Sequence, residues 1–272
     1  MGNPAITLSL SDPAGQTIFE LLKEKGFKKT GEKDIYKKGG IYLLPIEPLV
    51  VQEERYKTPK ELDPYPADYD FLAEKYEIDY IVVASRHWAK SGKPSLTTHP
   101  TGNFGKAMYG GRPRELQATA PNPMRDIYLR LLEDPPEKFE VSLEATHHSP
   151  TMFSVPMFFA EVGSREEQWR DTEVCNYLVE SILKGIEDQG DAPIALGFGG
   201  GHYCPYFSPK MTELAFGHIA AKYAIPLLSE DLVQQMNEKS GGAELAVLDS
   251  GLKSKERNKV GNLLDRIGLE IR

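Results

Sequence analysis

The chain carries six histidines; four of them stand where the sequence suggests that a strand runs into a turn, and a fifth, His99, lies in the loop after the first of these strands. Two are adjacent, in "EATHHSPT" (residues 144–151), between a short apolar run and a Ser-Pro break. Neighbouring side chains on an extended chain point to opposite faces. Alternation along "FEVSLEATHH" sets His147 with Ala145 and His148 with Glu144. That favours His148 as the functional ring, unless the turn before Pro150 resets the count. The others are His87 in "VVASRH", His99 in "PSLTTHP" and His202 in "GFGGGHYCP". Only His218, in "MTELAFGHIAAKYAI", falls on what reads as a helix.

Neutral imidazole is a zinc ligand and a general base near neutral pH. A zinc centre needs three or four ligands, and a catalytic one keeps a position for water. His99, His148 and His202 could supply them with a carboxylate such as Glu144 or Glu161. No HxH or HExxH spacing is present, so the competing reading is of histidines that cap strands and bond loop backbone.

In "GFGGGHYCP" a glycine run follows a strand, but Pro205 and Pro209 leave no helix for a dinucleotide pyrophosphate. The glycines of the 199–201 turn, Gly200 at its centre, would instead expose backbone N–H groups that could hold an oxyanion. Cys204 reads as a buried thiol rather than a nucleophile.

The 86–114 segment reverses the charge of a chain whose net charge is −8. It holds Arg86, Lys90, Lys93, Lys106, Arg112 and Arg114 with no Asp or Glu, and Trp88, Phe104 and Tyr109 are interleaved. Cations neutralise phosphates and aromatics stack on unpaired bases, which suits a single-stranded nucleic-acid end. A merely solvated loop is the alternative.

The elements that must position these residues alternate. Strands are expected in "PAITLSLSD", "GIYLLPIEPLVVQEE", "DYIVVAS", "KFEVSLEATHH", "VPMFFAEVGS", "APIALGFGG" and "AELAVLDS". Helices are expected after Asp12, in "DYDFLAEKYEID" beyond a proline turn, in "PMRDIYLRLLED", after Asp171, in the His218 stretch and in "KERNKVGNLLDRIG". The 86–114 segment reads as one long irregular loop. The pattern implies one α/β domain over residues 1–272, a mixed and largely parallel sheet flanked by helices. Ligands of such sheets sit beyond the carboxyl ends of the strands, so the five histidines are expected at that rim.

An acidic body excludes non-specific wrapping of DNA. No apolar run approaches the roughly 20 residues of a membrane helix. The start has no basic stretch ahead of its apolar one, so no secretory signal is expected. Two cysteines in 272 residues fit a reducing compartment, the cytoplasm. No obligate protein partner is evident.

"SRHWAKSGKPSLTTHPTGN", "EATHHSPT" and "GFGGGHYCP" together resemble the D-aminoacyl-tRNA deacylase family of archaea and plants, and the likeness runs through most of the chain. The resemblance implies a fold similar to phosphorylase and peptidyl-tRNA hydrolase proteins, zinc dependence, and hydrolysis of the ester between a D-amino acid and the tRNA 3′ end. It makes His87, His99, His147, His148 and His202 candidates for metal or catalytic roles. The mechanism expected is attack by activated water. His99, His148, His202 and Glu144 are the candidate metal site; Glu144 is alternatively a binder of the amino group. His87, His147, His148, Thr98 and Gly200 are the candidate catalytic set, with Thr98 and Thr101 orienting substrate. Arg86, Lys90, Lys93, Lys106, Arg112, Arg114, Trp88 and Phe104 are the candidate contacts to the aminoacylated tRNA end. The competing functions are a zinc amidohydrolase or peptidyl-tRNA hydrolase on the same scaffold, a non-catalytic RNA-binding protein, and a nucleoside phosphorylase.

Overall fold

Asp12 opens the first helix as its side chain allows. In a computed structural model, which describes residues 3–32, 34–45, 68–188 and 190–272, its carboxylate accepts the Ala14 N–H at 3.0 Å. Helix α1 (Pro13–Glu24) follows strand β1 (Asn3–Leu8), with proline where no helical N–H is missed. The turn expected at 63–67 and the stretch 46–54 lie outside the described residues.

Strands β2 (Lys28–Lys29), β3 (Tyr36–Lys38), β4 (Ile41–Pro45), β5 (Ile78–Trp88), β6 (Ser95–Pro100), β9 (Glu140–Leu143) and β10 (Met157–Ser164) join β1 in one sheet. The order is β2-β3-β4-β1-β5-β10-β6-β9. The run β4-β1-β5-β10 is parallel, as is β6-β9, whereas β10-β6 and the outer β2-β3-β4 edge are antiparallel. A second sheet, all parallel, orders as β12 (Ala215–Ala220), β11 (Ile194–Phe198) and β13 (Leu245–Leu248). A short pair, β7 (Gly102–Asn103) and β8 (Glu115–Leu116), lies between them in sequence. Helices α2 (Tyr69–Tyr76), α3 (Pro121–Leu131), α4 (Glu166–Trp169), α5 (Thr172–Asp188), α6 (Glu230–Glu238) and α7 (Ser254–Ile267) complete the fold. The α/β class and the mixed, largely parallel sheet flanked by helices are as the sequence implies. No helix among the described residues is long and apolar enough to cross a membrane.

The central strands are buried on both sides, all eight residues of β10 included. Val82, Ala84, Leu96, Phe158 and Ala160 point into the main core with α1, α3 and α5. Ile81, Val83, Met157 and Phe159 point to the opposite face, against Tyr69 of α2. By the same alternation Ser85, His87, Thr97, His99 and Glu161 share that second face. It is apolar at one end and ionisable at the other.

Three expectations are corrected. The 86–114 segment is not one loop: β6 crosses it as a sheet strand. Its Thr97, Thr98 and His99 are fully buried, and polar side chains at such positions hide a strand from any hydrophobic count. The strand read in "KFEVSLEATHH" stops at Leu143. The His218 stretch is strand β12, not helix. Its six residues are buried on every side and pair with β11, and a Cβ on Gly217 would lie 2.1 Å from Ser240 Oγ.

His218 is accordingly a core residue. Its Nε2–H donates to Gln117 O at 2.9 Å, and its Nδ1 accepts from the Thr146 hydroxyl at 3.1 Å. Burial, with Lys239 acting in the same direction, pushes its pKa down to about 3. Between that value and its ordinary value near 6.5 the unfolded chain binds the extra proton, so this ring's contribution is complete above pH 6.5 and falls as pH drops towards 3. His218→Gln should therefore flatten the stability–pH curve over that range by up to about 1.4 kcal/mol per pH unit, read by urea unfolding. Parallel curves for the two proteins would refute the assignment.

Candidate active site

The site is assembled on the ionisable end of the sheet face. Glu161 projects from β10. His87 lies two register positions further along on β5, and His99 two positions back on β6, so the three run diagonally across adjacent strands. His87 Nδ1 is 3.3 Å and His99 Nε2 3.6 Å from Glu161 Oε2, while Ser85 Oγ donates to Oε1 at 2.7 Å. His99 is stacked on Phe159 with ring centres 5.1 Å apart.

Glu144 enters from the end of β9, its N–H bonded to Thr98 O. Its carboxylate lies 3.2 Å from His87 Nδ1, 3.2 Å from His202 Nε2 and 3.6 Å from His147 Nε2. The second sheet delivers His202. After β11 the chain reverses through Gly199 and Gly200, at φ +108° and +72°, and Ala145 N–H then bonds His202 O at 2.8 Å.

Both histidines of "EATHHSPT" face this space. His148 adopts φ +46°, which resets the alternation. The His147 ring lies 4.3 Å from that of His148, 4.2 Å from His99 and 4.5 Å from His202. His147, favoured less than His148 by period-two counting, is thus the ring at the centre. It belongs to two groups whose ligand atoms lie within 4.8 Å of one another, His99–His147–His148 and Glu144–His147–His202.

The hydrogen-bond pattern fixes the tautomers. His99, His147 and His148 each place Nδ1 against a backbone carbonyl, of Pro100, Ala145 and Ser149, at 3.1, 2.8 and 2.6 Å. A carbonyl only accepts, so Nδ1 carries the hydrogen and Nε2 is left as a lone pair or a second acid site. Burial and the neighbouring His99 push His148 down to about 4 and His147 well below its usual value. His87 and His99 go the other way: burial opposes their charge, and Glu161 and Glu144 more than offset it. Neither Glu144 oxygen, nor His99 Nε2, has a well-aligned hydrogen bond, although all are fully buried. Imidazole nitrogens and carboxylate oxygens that face one another without aligned hydrogen bonds are the donor set of a cation site, with His99, His147 and His148 each fixed from behind by a carbonyl.

All five histidines of the sequence motifs converge, but not at the carboxyl rim. β6 runs opposite to β5, and His202 comes from another sheet, so the cluster lies on a sheet face. Thr98 points to the opposite face from His99, and Thr101 is spent on Pro150 O at 2.7 Å. The Gly199 N–H is given to Ala220 O, and Gly200 backs onto Asp249; the turn's evident work is to carry His202. Glu144, fully buried behind imidazoles, is closed to a substrate amine. Cys204 is buried and its thiol pKa raised, as expected of an inert group.

The basic segment divides. Arg86 points away from His87, over the Trp169 ring and towards Asp12. Lys90 lies on the turn beyond β5, Lys93 pairs with Glu140, and Trp88, 64% exposed, has Arg165 over its ring. Phe104 is 5% exposed and packs in the core of the second sheet, so it stacks on no base. Arg114 is fastened to Leu227 O and Ser229 Oγ. Lys106, Tyr109 and Arg112 remain exposed on a loop joined to the histidine loop, Ser149 N–H to Tyr109 O and Arg112 N–H to Thr151 Oγ1. The sequence reading omitted Tyr203, whose hydroxyl is 3.3 Å from His87 Nε2. Its position next to His202 was the available signal.

Fold and site together define an α/β protein with a buried imidazole–carboxylate centre, the equipment of a hydrolase. The D-aminoacyl-tRNA deacylase family model matches residues 74–272. The chain is 32% identical to the D-aminoacyl-tRNA deacylase of Pyrococcus horikoshii over 96% of both chains, and 33% identical to that of Thermococcus onnurineus over 98% of both. It is 40% identical to that of Methanosarcina mazei over 70% of this chain and 66% of that one. A crystal structure of a conserved protein of unknown function superposes with a TM-score of 0.87 at 30% identity, covering 99% of this chain and 94% of that one. The chain belongs to the D-aminoacyl-tRNA deacylase family, hydrolases acting on an ester bond.

Gly163 lets β10 approach β5 at His87: a Cβ there would stand 2.5 Å from His87 O. Gly163→Ala should destabilise the protein by about 1–3 kcal/mol through overpacking and displace His87. A variant with an unchanged denaturation midpoint and full deacylation would show that this contact does not set the ring.

Proposed function

We propose that the cluster hydrolyses the ester joining a D-amino acid to the 3′ end of tRNA, releasing the free amino acid and tRNA, and that it does so as a zinc centre. The observation that carries the reading is the convergence of histidine nitrogens and carboxylate oxygens, within 4.8 Å of one another in each group, on one buried space where both Glu144 oxygens and His99 Nε2 have no aligned hydrogen-bond partner among the described residues. His99, His147, His148 and His202 would hold the ion together with Glu144. When bound, zinc supplies Lewis-acid chemistry, polarising a carbonyl and making water acidic near neutral pH.

His87 is suited to move the proton. Its Nδ1 is held between Glu144 and Glu161, and its Nε2 faces the half-exposed Tyr203 hydroxyl at the opening. The ring takes a proton from water as the C–O bond to the carbonyl carbon forms. It returns the proton to the ribose oxygen as the ester bond breaks. Ser85 and Glu161 keep that ring oriented. The loop bearing Lys106, Tyr109 and Arg112 flanks the histidine loop and supplies charge and a stacking face to the single-stranded tRNA end. The setting we infer is the cytoplasm, where charged tRNA is used; both cysteines are free and buried.

Purified protein should turn over D-tyrosyl-tRNA and spare L-tyrosyl-tRNA, lose activity with a chelator and regain it with zinc. His147→Ala should lower the rate on the order of 10³-fold, since ligands of one centre fail together. Equal rates on the two enantiomers, or a fully active His147→Ala, would sink the proposal.

A further inference from the structure

A cationic surface near the site is one the sequence motifs did not single out. Lys253, Lys255, Arg257 and Lys259 lie on or just before the first turns of α7, and Lys222 follows β12. Three of them are held by contacts to two loops. Lys222 Nζ donates to Gly251 O at 3.0 Å, Arg257 Nη2 to Asp249 O at 3.2 Å and Lys259 Nζ to Pro226 O at 2.8 Å. Those loops abut the turn that delivers His202: Lys222 N–H bonds Gly200 O at 3.0 Å, and Asp249 Oδ2 would stand 3.2 Å from a Cβ on Gly200. The patch continues through exposed Tyr223 and Leu227 to Arg114, bonded to Leu227 O, and so to the Lys106–Arg112 loop. At the α7 end its acidic members are Asp249 and Glu256, and Glu256 is engaged with the Lys253 N–H and 3.8 Å from Lys222 Nζ. Beside Arg114, Glu115 is paired with Arg112 and Lys239, and Glu230 with Arg266. At the α7 end five cations face two carboxylates, a local excess on a chain of net charge −8.

We propose that this face, from the start of α7 across Lys222 to Arg114, docks the phosphate backbone of the substrate's double-stranded acceptor stem, one loop away from the centre that receives its 3′ end. The proposal rests on the deacylase reading and adds the direction from which the tRNA arrives. Duplex RNA presents closely spaced phosphates that a rigid row of cations can match without reading sequence. The row stands on a helix and two bonded loops, whereas in the turn that follows His87 and Trp88 the Lys93 charge is paired with Glu140.

Lys253 and Lys255 are exposed, so their reversal should leave the fold intact. The double variant Lys253→Glu/Lys255→Glu should weaken binding of uncharged tRNA about tenfold at 50 mM salt and reduce the slope of log K against log salt by about 2. The loss in kcat/KM should match on D-tyrosyl-tRNA and be confined to that substrate, D-tyrosyl-adenosine having no stem. Lys28→Glu/Lys184→Glu, the same charge change on exposed lysines of β2 and α5, is the control. An equal effect from the control, no effect from the test pair, or an equal loss on the stemless ester would overturn the docking surface. An unmutated protein that binds tRNA through the patch but hydrolyses neither ester would condemn the deacylase reading alone.

Discussion

Two carboxylates share one nearly dry space. Glu144 is fully buried and Glu161 is 4% exposed, and two such charges side by side would ordinarily keep a proton between them. Burial raises both, yet His87 and His99 beside Glu161, and His202 beside Glu144, bring both below the usual carboxylate range. Taking each ion from water costs several kcal/mol, so the arrangement persists only where partners are held rigidly. Most of what is unusual in the fold follows from supplying them: β6 turned against its neighbours to bring His99, a glycine turn to bring His202, and a left-handed His148 to bring both adjacent rings inward.

The same requirement explains why the centre lies on a sheet face. A rim site would use loops, whose side chains are free to retreat into water and leave a carboxylate unpaired. On the face, β5, β10 and β6 fix His87, Glu161 and His99 at a set diagonal, and the apolar half of that face abuts Phe159 and His99. Sheet register thus does the positioning that ligand chemistry demands to fractions of an ångström.

Where chemistry and local pattern coincide, the sequence was a good guide. The Asp12 cap, the Asp171-capped α5 and the apolar strands β5 and β10 appear as expected, and the five histidines gather as expected, although on a sheet face and not at the carboxyl rim. It misled where a residue's type disguised its surroundings. Thr97, Thr98 and His99 are polar but buried in a strand, and the short apolar stretch around His218 has no period long enough to separate strand from helix. Phe104 sits among cations in sequence and among leucines in space. That His147 and His148 both face inward depends on a single backbone dihedral close to a proline, which alternation cannot foresee.

Charge completes the picture. A body of net charge −8 repels a polyanion at long range, a field felt over roughly 10 Å at moderate ionic strength. Substrate RNA can then approach only where cations are concentrated and fixed. That makes location matter more than number: Lys93 and Arg86 are partly cancelled by Glu140 and Asp12, whereas Lys106 and Lys255 are exposed beside the loops that carry His148 and His202. An acidic surface with a cationic approach beside the centre turns repulsion into orientation, so encounters elsewhere on the molecule end without presenting the ester to the imidazoles.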